Sequence, residues 1–411
     1  MNTPGRKKSK LRLSIFSQYF WPEDFRINEL VKYFFSKHHD VQVFTSNPSY
    51  PQKFFYSSYY NNKMNYRNYE GVKVNRFYAF PRNRGNISIV LNYISFFFTS
   101  FFFTLFNSYF KKSEFSIIFC PSPLLTALPI IFLSKIFKKK VILWVLDLWP
   151  DTLVDLKIVK NKYIIKILSI LVKYIYDNSD LILAQSNSFA KEIQKISRTE
   201  CVYFPSWPEE NIHLDVTNNQ DVESDQRLKI LFAGNIGEAQ GFESIIEFSN
   251  ILKKKKLVKW IIAGDGRWRH KLEELILKYE LRDDIQIINK VPIEKVGSLL
   301  NTADLLLVTL KKNSTFEKTI PGKLQTYMSS GKPILGMISG EANTLINESQ
   351  CGFVCQAEDY RELANLILKF SNLSRLEKKK MGDNGLKYVR NNFNKINILN
   401  SLEKSLIRMI R

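Results

Sequence analysis

Residues 316–336 read FEKTIPGKLQTYMSSGKPILG. The letters describe a helix start with unusual chemistry. Pro321 suits a first turn, Gly322 leaves its backbone open to a ligand, and Lys323 adds a full positive charge. A first helical turn also carries unpaired N–H groups and a partial positive charge. Together these suit an anion such as a diphosphate, which Thr319 and Lys323 would face. The same letters also suit an ordinary strand–turn–helix connection with a surface lysine.

Two other stretches offer glycines at strand ends. Gly234, Asn235, Gly237 and Gln240 lie in FAGNIGEAQG, and Gly264 and Gly266 lie in AGDG. Glycines there let backbone N–H groups approach a nucleotide diphosphate. Gln240 also suits a helix cap, and Asp265 suits a cap for a helix beginning near Arg267. Glu341 and Glu348 are carboxylates placed to bind ribose or a sugar hydroxyl, or simply to face solvent.

Nearer the start, WPEDFRIN spans 21–28 without a glycine. Glu23, Arg26 and Asn28 fall at a helix start, and Arg26 is the residue to pair bidentately with a phosphate. Asp147 ends VILWVLD and opens DLWPD, where it either stabilises positive charge at a reacting carbon or caps the Trp149–Pro150 turn. No DxD triplet occurs, and Cys120, Cys201, Cys351 and Cys355 lack zinc spacing, so no metal is expected. The simplest setting for those thiols is a reduced one.

The elements that must position these residues are legible from hydrophobic periodicity. Continuous apolar runs such as FSIIFC, VILWV, LKILFA and ADLLLV alternate with amphipathic segments such as INELVKYFFSKHH and GFESIIEFSNILKKK. Such runs predict parallel strands covered on both faces. The pattern occurs twice, so the expected fold class is α/β with two Rossmann-like doubly wound domains. The seam is FPSWPEENIHLDVTNNQDVESDQR at 204–227, which places the domains at 1–205 and 206–390. Ligands of open α/β sheets bind beyond the carboxyl ends of the strands, so a central cleft facing both domains is the expected site.

Charge adds a partner. The net charge is +21, and residues 1–205 hold 29 Lys/Arg against 13 Asp/Glu. A basic half meets polyanions: nucleic acid, an anionic bilayer or phosphorylated ligands. Base composition of the genome gives the same skew. No nucleic-acid-binding motif appears. Residues 87–106 are nearly uncharged and rich in phenylalanine, with Asn92, Ser95, Thr99 and Ser100 interrupting them. We expect a helix with one core face and one membrane-surface face; a wholly buried helix and a spanning helix are the alternatives. The basic opening MNTPGRKKSK is not followed by an apolar signal core.

SQYFWPEDFRINELV, TSNPSYP, DLWPD, FPSWPEE, FAGNIGEAQG, AGDG, IPGKLQTYMSSGKPILG and GEANTLINESQCGFV occur in that order. As an ordered set they resemble the bacterial glycosyltransferases of family 4. The likeness points to the branch in O-antigen and capsule clusters that includes N-acetyl-L-fucosaminyltransferases. The resemblance implies the two-Rossmann arrangement called GT-B, with a C-terminal helix, about 391–411, crossing back to the first domain. It implies a nucleotide-sugar donor, here UDP-linked, used without a metal and with retention at the anomeric carbon. Acceptor residues are expected in the first domain, with Glu23 and Asn28 on that side; its basic charge and its Phe-rich helix suit a polyprenyl-diphosphate-linked saccharide as acceptor, at the inner face of the plasma membrane.

Three departures from that pattern matter. Where many relatives carry a Glu-x7-Glu pair, this chain has Lys318 and Thr326, with Glu317 adjacent to the first. Asn235 and Gln240 stand where relatives often have Arg and Lys, which leaves Lys323 to neutralise the leaving diphosphate. Many relatives have a histidine near Asp147, whereas the histidines here are His38, His39, His213 and His270. A soluble sugar-nucleotide epimerase on the same fold and a catalytically inert partner subunit are the competing readings.

Overall fold

The computed structural model describes residues 10–50, 54–82, 86–209 and 226–410. Most of the seam, residues 210–225, lies outside them, as do the basic opening, Arg84 and His213. The chain divides into two compact units. One runs to Phe204 and takes back the residues from Ile396 onward; the other is Pro205–Lys395.

The first unit is built on eight strands. They are β1 (Arg12–Ser17), β2 (Asp40–Ser46), β3 (Asn68–Tyr69), β4 (Val72–Phe77), β5 (Phe115–Cys120), β6 (Lys140–Val145), β7 (Leu181–Ala184) and β8 (Cys201–Tyr203). Their order is β3-β4-β2-β1-β5-β6-β7-β8, parallel except for the β3–β4 pair. β5 and β7 are buried along their whole length, as expected of strands covered by helices on both faces. The order reverses between β1 and β5, where Ile15 pairs with Val43 on one side and Ile117 on the other.

The second unit repeats the logic with β9 (Leu228–Ala233), β10 (Val258–Ala263), β11 (Ile285–Ile288), β12 (Leu305–Thr309), β13 (Ile334–Met337) and β14 (Gly352–Cys355). Their order is β11-β10-β9-β12-β13-β14, the doubly wound pattern whose switch point falls between β9 and β12. Leu231 pairs there with Ile261 and with Leu306. Both faces of this sheet are packed, one by residues such as Phe232, Phe242 and Trp260, the other by Leu231, Leu324 and Tyr327. Each fully buried side chain of this kind contributes about 1.5–3 kcal/mol.

The C-terminal helix Lys395–Ile410 is held in the first unit by a buried polar clasp. Tyr33 Oη donates to Glu403 Oε2 at 2.8 Å, and His39 Nε2 lies 3.1 Å from Glu403 Oε1. The Leu11 N–H donates to His39 Nδ1, which places the imidazole proton on Nε2, toward the carboxylate.

The helix Asn86–Phe106 is neither wholly buried nor arranged as a water-facing helix. Asn92, Phe96, Ser100 and Thr104, one stripe at a spacing of four, are its buried side. Asn92 Oδ1 accepts from Gln18 Nε2 at 2.6 Å and from Arg82 Nε at 3.2 Å. The polar residues that interrupt the apolar run therefore face the protein, and most of the apolar ones face outward.

Candidate functional site

At the carboxyl end of β9 the backbone turns through Gly234, whose φ is +150°. Gly264 ends β10 in the same way with φ of +152°. A Cβ on Gly264 would stand 1.9 Å from Gly234 O, and one on Gly266 would stand 2.2 Å from Ile236 O. The Ile236 N–H donates to Asp265 O at 2.8 Å, and the Trp268 N–H donates to Ile236 O at 3.1 Å. The two strand-end loops are thus zipped together. Gly264 and Gly266 are demanded by the neighbouring backbone, a reason that needs no ligand. Asp265 does not cap the following helix, Arg269–Lys278, which begins at Trp268 without a side-chain cap; its carboxylate takes the Gly266 N–H instead.

Gly234 has a different neighbour. Its missing Cβ would lie 3.3 Å from Lys323 Nζ. Lys323 is the second residue of the helix Gly322–Ser329, and Pro321 sits just before it at the N-cap rather than inside the first turn. The helix is clamped to β9 one turn later: Tyr327 Oη donates to Ala233 O at 2.9 Å and accepts from the Ala233 N–H at 2.7 Å. That clamp carries the Lys323 amine over the Phe232 ring, 3.6 Å from its centroid, where it donates to Gln240 Oε1 at 3.0 Å. Gln240 is fixed by β12 and the segment after it, because Thr309 Oγ1 donates to Gln240 O and the Lys311 N–H donates to Ala239 O.

The amine therefore has a neutral amide and an aromatic face for company. Among the described residues no carboxylate pairs with it, and burial pulls its pKa from the ordinary 10.5 down to about 7. An ammonium without a counter-ion, at the carboxyl end of the central strand and beside a switch point, is placed to be completed by an anion.

The remaining predicted residues of this unit lie around that cradle. Asn235 is exposed, and Gly237 is half-buried beside it, with Asn235 Nδ2 2.7 Å from where a Gly237 Cβ would stand. Gly322 is exposed, and a Cβ on it would meet nothing within 4 Å. Thr319 is half-buried and its hydroxyl donates to Thr315 O at 3.0 Å. Gly340, at φ +75°, lets the start of the helix Glu341–Ser349 press against Glu317 O, 1.9 Å from its absent Cβ. Glu341 is half-buried in that first turn, whereas Glu348 is exposed near the other end. Thr326, at the second Glu-x7-Glu position, is buried.

Of the acceptor-side candidates in the first unit, Glu23 and Asn28 turn into the protein. Glu23 does not reach outward. It is buried, its Oε1 accepts the Ser49 and Tyr50 N–H groups at 2.8 and 2.7 Å, and its Oε2 accepts the Phe20 N–H. Burial pushes this carboxyl up to about 7, against those backbone donors and Arg76. Asn28 accepts from the Trp21 N–H and donates to Glu23 O at 2.7 Å. Both residues fix the loop between β1 and the helix Arg26–Ser36; their polar capacity is spent on backbone. Arg26 opens that helix and pairs with Glu29 at 3.2 Å. Asp147 lies half-buried just beyond β6, and burial raises it to about 7 against a hydrogen bond from Ser122.

Sequence reasoning missed three parts of this arrangement. Tyr327 follows Lys323 by four residues and so shares its helix face, a signal present in GKLQTY. Phe232 and Arg76 gave none, because the ring under the amine and the guanidinium beside Glu23 arrive from strands distant in sequence.

Comparison with known proteins agrees with this architecture. Residues 216–388 match the family described as glycosyl transferases group 1. A putative colanic acid biosynthesis glycosyl transferase, WcaI, of Escherichia coli is 26% identical over 334 residues, covering 78% of this chain and 80% of that one. A probable glycosyltransferase, WbjE, of Pseudomonas aeruginosa is 26% identical over 290 residues, covering 66% and 70%. Sucrose-phosphate synthase from Thermosynechococcus elongatus superposes with a TM-score of 0.74 at 13% identity, over 98% of this chain and 99% of that one. HepE of Anabaena in complex with UDP superposes with a TM-score of 0.68 at 12% identity, over 97% and 100%. At such identities the structural likeness establishes the fold: two Rossmann-like units of the GT-B kind.

Proposed function

We propose that this chain, a glycosyltransferase by its likeness to the group 1 family and to its relatives, moves a hexose from a UDP-linked donor to a saccharide carried on a polyprenyl diphosphate. The observation that carries the reading is the Lys323 amine, held under Gly234 by Gln240 and Phe232 with its charge uncompensated. A nucleotide diphosphate is the anion that fits such a position. The UDP held by HepE and the colanic acid role in the name of the Escherichia coli relative support a nucleotide sugar and a cell-surface polysaccharide. N-acetyl-L-fucosamine as the transferred sugar, and O-antigen or capsule as the product, rest on the sequence resemblance.

In the proposed reaction the bond from the anomeric carbon to the β-phosphate oxygen breaks. A bond to the acceptor hydroxyl oxygen forms on the same face, and the acceptor proton passes to the departing diphosphate. The protein's task is orientation and charge neutralisation rather than strong base catalysis. Protonated Lys323 donates to the diphosphate as it gains charge, and ionised Asp147 supports positive charge at the anomeric carbon. Thr319, Gly322 and Glu341 serve donor placement. No metal is required in this scheme, because lysine and helix-end N–H groups supply the positive charge. The enzyme works in the cytoplasm, peripheral at the inner face of the plasma membrane, where a lipid-linked acceptor resides.

The test is a panel of UDP- and GDP-sugars offered with a short-chain lipid-diphosphate saccharide in EDTA, with the anomeric configuration of any product read by NMR. One donor giving a product of retained configuration supports the reading. Inversion, or a requirement for divalent metal, overturns it.

A further inference from the structure

The first unit exposes two helices that each turn an apolar side outward, although Lys162–Asp177 also buries Val172, Ile175 and Tyr176. On Asn86–Phe106 the buried stripe is Asn92, Phe96, Ser100 and Thr104, while Ile87, Ile94, Phe98, Phe102 and Phe106 point outward. Phe98 and Phe102 are each 54% exposed, and Phe106 is 75% exposed. On Lys162–Asp177 the residues Tyr163, Ile167, Ile170 and Tyr174 follow the spacing of one helical face, and that face is also open, with Tyr163 81% exposed. A third helix, Leu128–Ile136, joins the two. Its Phe132 ring lies 6.1 Å from Phe101, and its Lys135 lies over the Tyr174 ring at 5.9 Å. Between them runs an apolar groove of about 420 Å³ floored by Phe97, Phe101, Leu128 and Pro129. A continuous apolar surface of this kind marks an interaction face.

Charge identifies the partner. Lys162, Lys166 and Lys173 lie one residue from the Tyr163–Tyr174 stripe, and Lys135, Lys138 and Lys140 follow the groove at the end of the middle helix. All six are exposed; Lys140 and Lys173 pair with Asp180 and Asp177 at 2.9 and 2.7 Å. The helix Asn86–Phe106 bears no acidic or basic residue at all. Phenylalanine and isoleucine beside exposed lysines, with the polar residues of Asn86–Phe106 turned inward, suit an interface that is hydrocarbon within and anionic at its surface. Among the described residues Asn86–Phe106 is the single helix long and apolar enough to cross a bilayer, yet Asn92, in its second turn, ties it to Gln18, Arg82 and Phe80 O.

We propose that these three helices form one docking face that lies flat on an anionic bilayer, with Asn86–Phe106 in the interfacial plane rather than across the membrane. The face deepens the proposed function, resting on it for the lipid-linked acceptor that would make such docking useful.

The test is flotation of the full chain with vesicles of phosphatidylcholine containing one-third phosphatidylglycerol, beside vesicles of phosphatidylcholine alone. Wild type floats with the anionic vesicles and at least tenfold less with the neutral ones. Ile167→Gln with Ile170→Gln lowers the partition at least tenfold, and Lys162→Glu with Lys166→Glu does the same. Both pairs are exposed, so the variants stay folded. Tryptophan at position 98 or 167 shifts its emission to the blue on vesicle addition. Partition unchanged in the Ile167/Ile170 variant overturns the face. So does self-association of the wild type in vesicle-free buffer that the same substitutions abolish, which would assign the face to a second copy. Transfer to a water-soluble acceptor is read in parallel. Its absence in wild type with flotation intact refutes the functional reading alone; its persistence in a variant that no longer floats supports docking separate from chemistry.

Discussion

The Lys323 amine yields a prediction with a sign and a size. In the free protein its pKa stands at about 7, against an ordinary 10.5. A bound UDP diphosphate restores the ammonium, so binding takes up a proton whenever the free amine lacks one. UDP's phosphates are themselves fully ionised well above pH 7, so the pH dependence there belongs to the protein. Half the molecules bind a proton with UDP at pH 7, and nearly all do at pH 9. The dissociation constant therefore rises roughly 50-fold between pH 7 and pH 9, about 2.3 kcal/mol by linkage. Calorimetry in two buffers of different ionisation enthalpy reads both the affinity and the proton. Lys323→Met binds UDP roughly 10- to 150-fold more weakly at pH 7, the loss of a charge-assisted hydrogen bond of about 1.5–3 kcal/mol, and its affinity is flat with pH. Folding responds with the opposite sign. The folded pKa lies below the unfolded one, so the free protein gains stability from Lys323 as pH climbs from 7 toward 10.5. UDP stabilises it most near pH 7. A dissociation constant equal at pH 7 and pH 9 with no buffer-dependent heat, or a Lys323→Met profile matching wild type, refutes the reasoning.

Further expectations follow from other residues. Gly264→Ala sets a methyl 1.9 Å from Gly234 O at a left-handed φ of +152°, so the second unit loses about 2–4 kcal/mol, read as a lower urea midpoint. Glu23→Gln has one acceptor oxygen where three backbone N–H groups need two, costing about 1–3 kcal/mol in the same measurement while transfer by the folded protein continues. Asp147 must be ionised and Lys323 protonated, and each stands at about 7 in the free protein, so kcat/KM in wild type is a bell centred near pH 7 whose acid limb belongs to Asp147. Asp147→Asn removes that acid limb and lowers the rate at pH 8 roughly 100-fold.

The strands were legible because parallel strands buried on both faces must be continuous apolar runs. FSIIFC and LLLVT are so written and so placed. The short β3 and β8 were not, since two- and three-residue strands leave no period to read. Lys323 and its Gly234 neighbour were legible because helix-start and strand-end chemistry is local. The fate of Glu23 was not: an acidic residue beside a helix start reads as exposed, and only the return of Ser49 and Tyr50 from the end of β2 buries it. Gly264 and Gly266 read in sequence as the lining of a nucleotide pocket, whereas the close approach that requires them is to Gly234 O and Ile236 O. The outward face of Lys162–Asp177 was hidden for a related reason. An amphipathic sequence shows that two sides differ, and tertiary packing decides which side turns in.

The measurement closest to the central claim is sugar transfer by wild type and Lys323→Met side by side. Each is given UDP-sugars and a short-chain lipid-diphosphate saccharide in EDTA, and product is followed by mass. The account predicts a single-sugar product from wild type in EDTA and a rate at least tenfold lower at pH 7 in the variant. Equal rates in the two proteins, or no transfer from any donor by a wild type that still binds UDP, would contradict it.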